Sequence, residues 1–158
     1  AIPSIILSIS ICAALGSGIV NTMIAVGISS IPTYARVFRS SVISEKSKEY
    51  IEAARAVGAG NARIILKHIL PNSIAPVIVQ ASLGVAQAIT TAASLSFIGL
   101  GIQPPNPEWG ALLSSGRQYI RDFPHMVVYP GIAIMLTVLA LNLIGDGLRD
   151  ALDPRLKR

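Results

Sequence analysis

Long stretches without a single charge alternate along this chain with short, densely charged ones. No Asp, Glu, Lys or Arg occurs from Ala1 to Ala35, from Ile69 to Pro107, or from Phe123 to Gly145. About 20 mostly apolar residues suffice to cross roughly 30 Å of hydrocarbon as a helix, so each tract has room for at least one span. The pattern predicts an apolar segment over about 1–15, closed by Gly16-Ser17-Gly18 as a turn and read as the outer part of a truncated span. A second span is expected over about 19–35, with Arg36 and Arg39 at its interface. Pro32 is tolerable near its end, where lost backbone hydrogen bonds find water. Further spans are expected over 73–96 and 127–144.

The charged stretch over about 39–70 reads as a helical hairpin between spans. Ser44 is placed to cap a helix from Glu45 to Val57, with Glu45 and Glu49 near its positive end. Tyr50, Ala53, Ala54 and Val57 recur at helical spacing as one low apolar face. Lys48–Glu52 and Glu52–Arg55 pairs are expected to support the solvated side. Gly58 and Gly60 stop this helix, and Asn61 is placed to cap a second one that ends at Pro71. Residues 97–124, with Gly99, Gly101, Pro104, Pro105, Pro107 and Trp109, break any simple span. They read as an outer-face segment with a short amphipathic helix near Ala111–Ile120.

Composition supports the same class. The hydrophobic fraction is 52%, the charged fraction 13% and the mean hydropathy +0.62, too apolar for an ordinary soluble domain. The net charge of +5 does not point to nucleic acid, because the basic residues form no patch interleaved with aromatics. Arg36, Arg39, Lys46, Lys48, Arg55, Arg63 and Lys67 flank or occupy the charged loop, and Arg149, Arg155, Lys157 and Arg158 form the tail. Only Arg117 and Arg121 remain for the other side. By the positive-inside rule the loop and the C-terminus are expected to be cytoplasmic. The first apolar run follows no basic leader, and the chain is expected to start inside a larger membrane protein.

Candidate chemistry is sparse. Cys12 is alone in an apolar run, and His68 and His125 have no ligand-spaced companions, so no metal site is expected. Asp146, Arg149, Asp150, Asp153 and Arg155 mix signs at the tail in no metal-loop spacing and read as a salt-bridged helix end. There is no G-x-x-x-x-G-K-[ST] loop, nucleophile elbow or His-Glu-x-x-His helix. The chain is therefore expected to be non-catalytic and to hold no cofactor. Gln80, Gly84, Gln87, Thr91 and Ser94 share one face of the 73–96 span. Such a face lines a solute path or serves as interhelical glue, since small and hydroxyl residues let spans approach and hydrogen-bond.

Glu52-Ala53-Ala54, three residues, then Gly58, nine residues, and Leu70-Pro71 after an intervening pair resemble the EAA loop of ABC-importer permeases. The usual Ile position holds His68, with Ile69 one place on. His-Ile-Leu-Pro-Asn (68–72), Leu-Ser-Phe-Ile-Gly-Leu-Gly (95–101), Pro-Pro-x-Pro-Glu-Trp-Gly (104–110) and Gly-Asp-Gly-Leu-Arg-Asp-Ala-Leu-Asp-Pro-Arg-Leu (145–156) are similar to the dipeptide, oligopeptide and nickel branch. The resemblance implies an all-α, polytopic helical membrane protein with a type I ABC-importer-like transmembrane domain, here its C-terminal part, in the inner membrane. It also implies a second homologous permease subunit, two ATPase subunits that bind ATP and Mg, and an extracytoplasmic solute-binding protein. Glu52, Ala53, Ala54, Gly58, Leu70 and Pro71 would then couple the ATPases to alternating access. The competing functions are an ion-gradient-driven carrier, which calls for ionisable groups within spans, and a membrane module whose hairpin only binds a partner.

Overall fold

The computed structural model describes residues 2–152. Among them every regular element is helical. Apolar runs with few breakers form the long helices, and glycines and prolines set most of their ends. Helix α1 (Ser4–Leu15) stops at Gly16, whose φ of 86° reverses the chain and whose amide donates to the Cys12 carbonyl at 2.9 Å. Helix α2 (Ile19–Lys46) runs 28 residues.

This helix runs 11 residues beyond the span expected over about 19–35, to Lys46. No glycine or proline lies between Thr33 and Lys46, and arginine and serine do not break a helix once it leaves an apolar environment. Pro32 sits inside it, among hydroxyls that bond within the helix: Ser29 to the Val26 carbonyl at 3.0 Å and Ser30 to that of Gly27 at 2.7 Å.

Helix α3 spans Glu49–Ala56. After the turn at Gly58, helix α4 (Asn61–Arg63) leads without a break into a π-helical stretch, Ile64–Ile69, and helix α5 (Leu70–Ser73). Pro71 does not end this segment as expected. It falls at the start of α5, where the register changes from π to α and a missing donor costs least. A bend at Ile74 precedes helix α6 (Ala75–Phe97). Helix α7 (Trp109–Gly116) is followed by a 3₁₀ turn at Arg117–Tyr119, and helix α8 spans His125–Leu152. The expected helix over Ala111–Ile120 starts two residues earlier because Glu108 caps it, accepting from the Ala111 amide at 2.7 Å.

By length and composition, α6 and α8 are each apolar enough to cross a membrane, and little of either is buried within the chain. Along α6 the hydroxyls of Ser82, Thr90, Thr91, Ser94 and Ser96 all donate to carbonyls of the preceding turn, at 2.8–3.0 Å. Polar side chains thus satisfy themselves inside the helix, as an apolar surrounding demands.

Two compact units form. In the first, residues 2–31 and 84–143, Cys12, Ala25 and Leu95 make a core joined by Ile9, Ile11, Val26 and Leu100. The Ser8 hydroxyl donates to that of Ser29 at 2.6 Å, tying α1 to α2. Gly110 of α7 lies so close to α6 that a Cβ there would overlap the Ala93 carbonyl. This is the small-residue, hydroxyl-bridged packing of helices that lack a hydrophobic drive to associate. Arg117 stands 6.0 Å from the centre of the Phe97 ring.

In the second unit, residues 32–83 and 144–152, Ile51, Ile64 and Ile69 form the core, with Val42, Ala54 and Ala59 against them. Gly145 accommodates the Leu83 side chain, which a Cβ would meet. Of the tail residues, Asp146, Arg149 and Asp150 lie in α8, whereas Asp153 and Arg155 fall outside the described residues. The salt-bridged helix end expected there is not formed among the described residues, whose single ion pair is Lys48–Glu45.

Candidate functional site

The hairpin over α3–α5 presents one face and buries another. Positions 51 and 54 of α3 turn inward. Ile51 is fully buried against Ile64 and Ile69, and Ala54 packs at the edge of the same cluster. Glu49, Glu52, Ala53 and Ala56, spaced i, i+3, i+4 and i+7, are exposed, and Val57 beside them is 84% exposed. The expected apolar face of Tyr50, Ala53, Ala54 and Val57 is therefore not the packing face. Three of its four members face outward, because Ile51 offers far more apolar area to bury than alanine does.

The turn at Gly58 follows from its position four residues after Ala54. Val57 closes the helix, the Gly58 amide donates to the Arg55 carbonyl at 2.9 Å, and the Ala59 amide to the Ala54 carbonyl at 3.0 Å. This pair of bonds is a Schellman motif and requires a left-handed residue, which Gly58 supplies with φ 84°. Leu70 and Pro71 are exposed on the return segment, one and two residues beyond buried Ile69. The structure thus brings Glu52, Ala53, Ala54 and Gly58 together on a single short helix and its turn, with Leu70 and Pro71 on the segment packed behind it.

The helix start differs from expectation. Ser44 and Glu45 belong to the last turn of α2, and α3 begins at Glu49 after Lys48, with no side-chain cap. Gly60, not Asn61, holds the capping position of α4, also without a side-chain bond. Lys48 pairs with Glu45 at 2.5 Å and not with Glu52, and no Glu52–Arg55 pair forms. Glu45, only 8% exposed, also accepts from the Tyr50 hydroxyl at 2.6 Å. Burial raises the Glu45 carboxyl, but the bonds from Lys48 and Tyr50 outweigh it and hold the group below its ordinary range. The Tyr50 phenol is pushed up, first by its bond to Glu45 and then by desolvation.

On α6 the five polar positions remain on one face of a continuous helix. Gln80, Gly84 and Thr91 are partly covered, whereas Gln87 and Ser94 are exposed. The Gln87 amide reaches the Thr91 hydroxyl only at 3.5 Å, so its polar end retains bonding capacity.

Over residues 1–158 the chain matches the family described as the binding-protein-dependent transport system inner membrane component. It belongs to that family. Among curated relatives of this permease family, the dipeptide transport system permease protein DppC of Alkalihalophilus pseudofirmus is 55% identical over 157 residues, covering 99% of this chain and 52% of that protein. The di/tripeptide permease DppC of Pseudomonas aeruginosa is 52% identical, again over 99% of this chain and 52% of the relative. The glutathione permease GsiD of Escherichia coli is 51% identical over the same shares. The chain spans about half the length of the curated relatives it matches. These relatives are named for the transport of dipeptides, di/tripeptides and glutathione.

Sequence reasoning missed two features of this permease loop. Ile51 is the anchor of α3, and its spacing to Ala54 and the isoleucines at 64 and 69 was the available signal. The Glu45–Tyr50 bond was hidden because Glu45 was assigned to the wrong helix.

Proposed function

We propose that this chain is the part of a permease subunit through which two partner ATPases drive small peptides across the inner membrane. The observation that carries the reading is the outward face of α3. Glu52, Ala53 and Val57 are exposed on a helix whose opposite side is anchored by buried Ile51. A short helix with alanine at its crest is thin enough to seat in a groove on another protein, and Glu52 supplies a charge to set its register.

The coupling set is Glu52, Ala53, Ala54, Gly58, Leu70 and Pro71. Ala54 and Gly58 act through shape: their carbonyl and backbone form the turn. The spans are α1, the first part of α2, α6 and α8, with the α3–α5 loop and the C-terminus cytoplasmic, as the excess of Lys and Arg favours. Residues 97–124 then lie on the outer face, where an extracytoplasmic binding protein delivers solute. ATP and Mg are held by the ATPases, and a second permease subunit completes the path. Movement of the ATPases is transmitted only if α3 makes different contacts in the two states of the spans.

The relatives are named for dipeptides, di/tripeptides and glutathione, which favours short peptides as the solute. The Gln80–Ser94 face lines the path, with the Gln87 amide and the Ser94 side chain exposed to it.

The test is reconstitution of the full-length permease, its partner permease, both ATPases and the binding protein in proteoliposomes, with radiolabelled dialanine as solute. Uptake that requires ATP hydrolysis supports the reading. Uptake driven by an ion gradient without ATP makes the protein a carrier, and ATPase binding with no uptake leaves only an interaction module.

A further inference from the structure

Helix α3 is eight residues long, with a two-residue turn before it and a glycine turn after it. Its packing face offers little more than Ile51 and Ala54 to the core. Such an element would rock about Ile51 if pushed on its exposed side, and the push would be lost. A chain of hydrogen bonds opposes this. Glu45, in the last turn of α2, accepts from Lys48 Nζ at 2.5 Å and from Tyr50 Oη at 2.6 Å. Asn72 of α5 donates from Nδ2 to Tyr50 Oη at 3.3 Å and to the His68 carbonyl at 2.7 Å. Tyr50 and His68 also stand ring to ring at 6.3 Å.

We propose that Glu45, Tyr50 and Asn72 form a positioning clamp that fixes the angle of α3 between the end of α2 and the start of α5. The phenol is the centre of the clamp. It donates to a buried carboxylate on one side and accepts from an amide on the other, so one rigid ring with two torsions joins three elements. A bond to an ionised acceptor is the strong kind, and a carboxylate this buried needs its partners. Tyr50 is an aromatic, 22 residues from Asn72 in sequence, and nothing in the exposed docking face requires it. The clamp acts in transmission and leaves the docking surface of Glu52, Ala53 and Val57 unchanged. This role rests on the reading of α3 as the ATPase-coupling helix, whereas the geometry of the clamp does not.

The test uses the full-length permease in its assembled complex, with Cys12 replaced by serine and spin labels at Arg39→Cys and Arg55→Cys, both exposed and outside the docking surface. Tyr50→Phe keeps the ring and removes both bonds. The expected result is a distance distribution between the labels at least twice as broad as in the parent. Asn72→Ala, which removes the longer of the two bonds to Tyr50 together with the local bond to the His68 carbonyl, broadens it less, and Tyr119→Phe leaves it unchanged. In proteoliposomes Tyr50→Phe is expected to transport at least five-fold less dialanine per ATP hydrolysed, while the ATPase still crosslinks to a cysteine at Ala53 with parental yield. An unchanged distance distribution overturns the clamp. A broadened distribution with a parental transport-to-ATP ratio overturns its role in coupling. Absence of the Ala53 crosslink in the parent complex instead sinks the coupling reading, and the label distances still decide the clamp.

Discussion

The Ala59 amide donates to the Ala54 carbonyl at 3.0 Å, across the turn that ends α3. This bond explains the spacing of the motif. The last alanine of the Glu-Ala-Ala triplet supplies the acceptor, and Gly58, four residues on, supplies the left-handed φ of 84° that brings the donor round. An L side chain at Gly58 is strained by roughly 1–2 kcal/mol, although the space around it is open. Gly58→Ala is expected to lower the thermal midpoint of the full-length complex. Gly60→Ala, at φ −67° in open space, is expected to leave it nearly unchanged.

Ile51 and Val57 should separate folding from docking. Ile51 is fully buried and Val57 is 84% exposed. Ile51→Ala is expected to cost about 2–5 kcal/mol by the general cost of emptying a packed site, read as a lower thermal midpoint. Val57→Asp is expected to alter stability by less than about 0.5 kcal/mol, as exposed substitutions do, yet to reduce co-purification of the ATPases.

The contact of Gly110 with Ala93 predicts a loss in the other unit. A methyl at position 110 would overlap the Ala93 carbonyl, and overpacking of this kind costs about 1–3 kcal/mol. Gly110→Ala should therefore destabilise the protein in a thermal melt. Gly131→Ala in α8, with nothing within 4 Å of its new methyl, should not.

The Glu45–Tyr50 bond carries a pH signature. The carboxyl is held below its ordinary value by Lys48 and Tyr50 in spite of its burial. Its contribution is thus fully present above the ordinary carboxylate range and is lost as pH falls through the lowered value. The Tyr50 phenol is raised, so its contribution holds below the ordinary phenol range and is lost only as pH rises through the raised value. The stability difference between the parent and Glu45→Gln should stay constant from neutral pH down to the ordinary carboxylate range and shrink only in stronger acid. A difference already shrinking at pH 6, followed by chemical unfolding, would contradict this.

The sequence made the helical class and the places of the long helices legible. A charge-free run bounded by Pro71 and Gly99 led to a helix expected over 73–96, and α6 covers Ala75–Phe97. Where the reading failed, two signals competed. Ser44 reads as the cap of a new helix from Glu45, but the chain from Thr33 has no breaker and α2 stays helical to Lys46. That error moved Glu45 into α3 and hid its bond to Tyr50. At Pro71 a proline was read as an end, whereas a change from π to α register absorbs it. The small side chains of Ala53 and Ala54 drew attention away from Ile51, because periodicity alone does not say which of two adjacent apolar stripes is packed. Glu52, Ala53 and Gly58, expected together on one short charged helix and its turn, do lie on α3 and its turn, whereas Leu70 and Pro71 lie on the return segment.

The central claim is that α3 seats on an ATPase and moves with its nucleotide state. The most direct measurement places a cysteine at the exposed Ala53 in the full-length complex, with Cys12 replaced by serine, and scores crosslinking to the ATPase with and without ATP. The account predicts a strong crosslink whose yield changes with nucleotide. An intact complex in which the cysteine is reactive to a small thiol reagent but never crosslinks to the ATPase would contradict it.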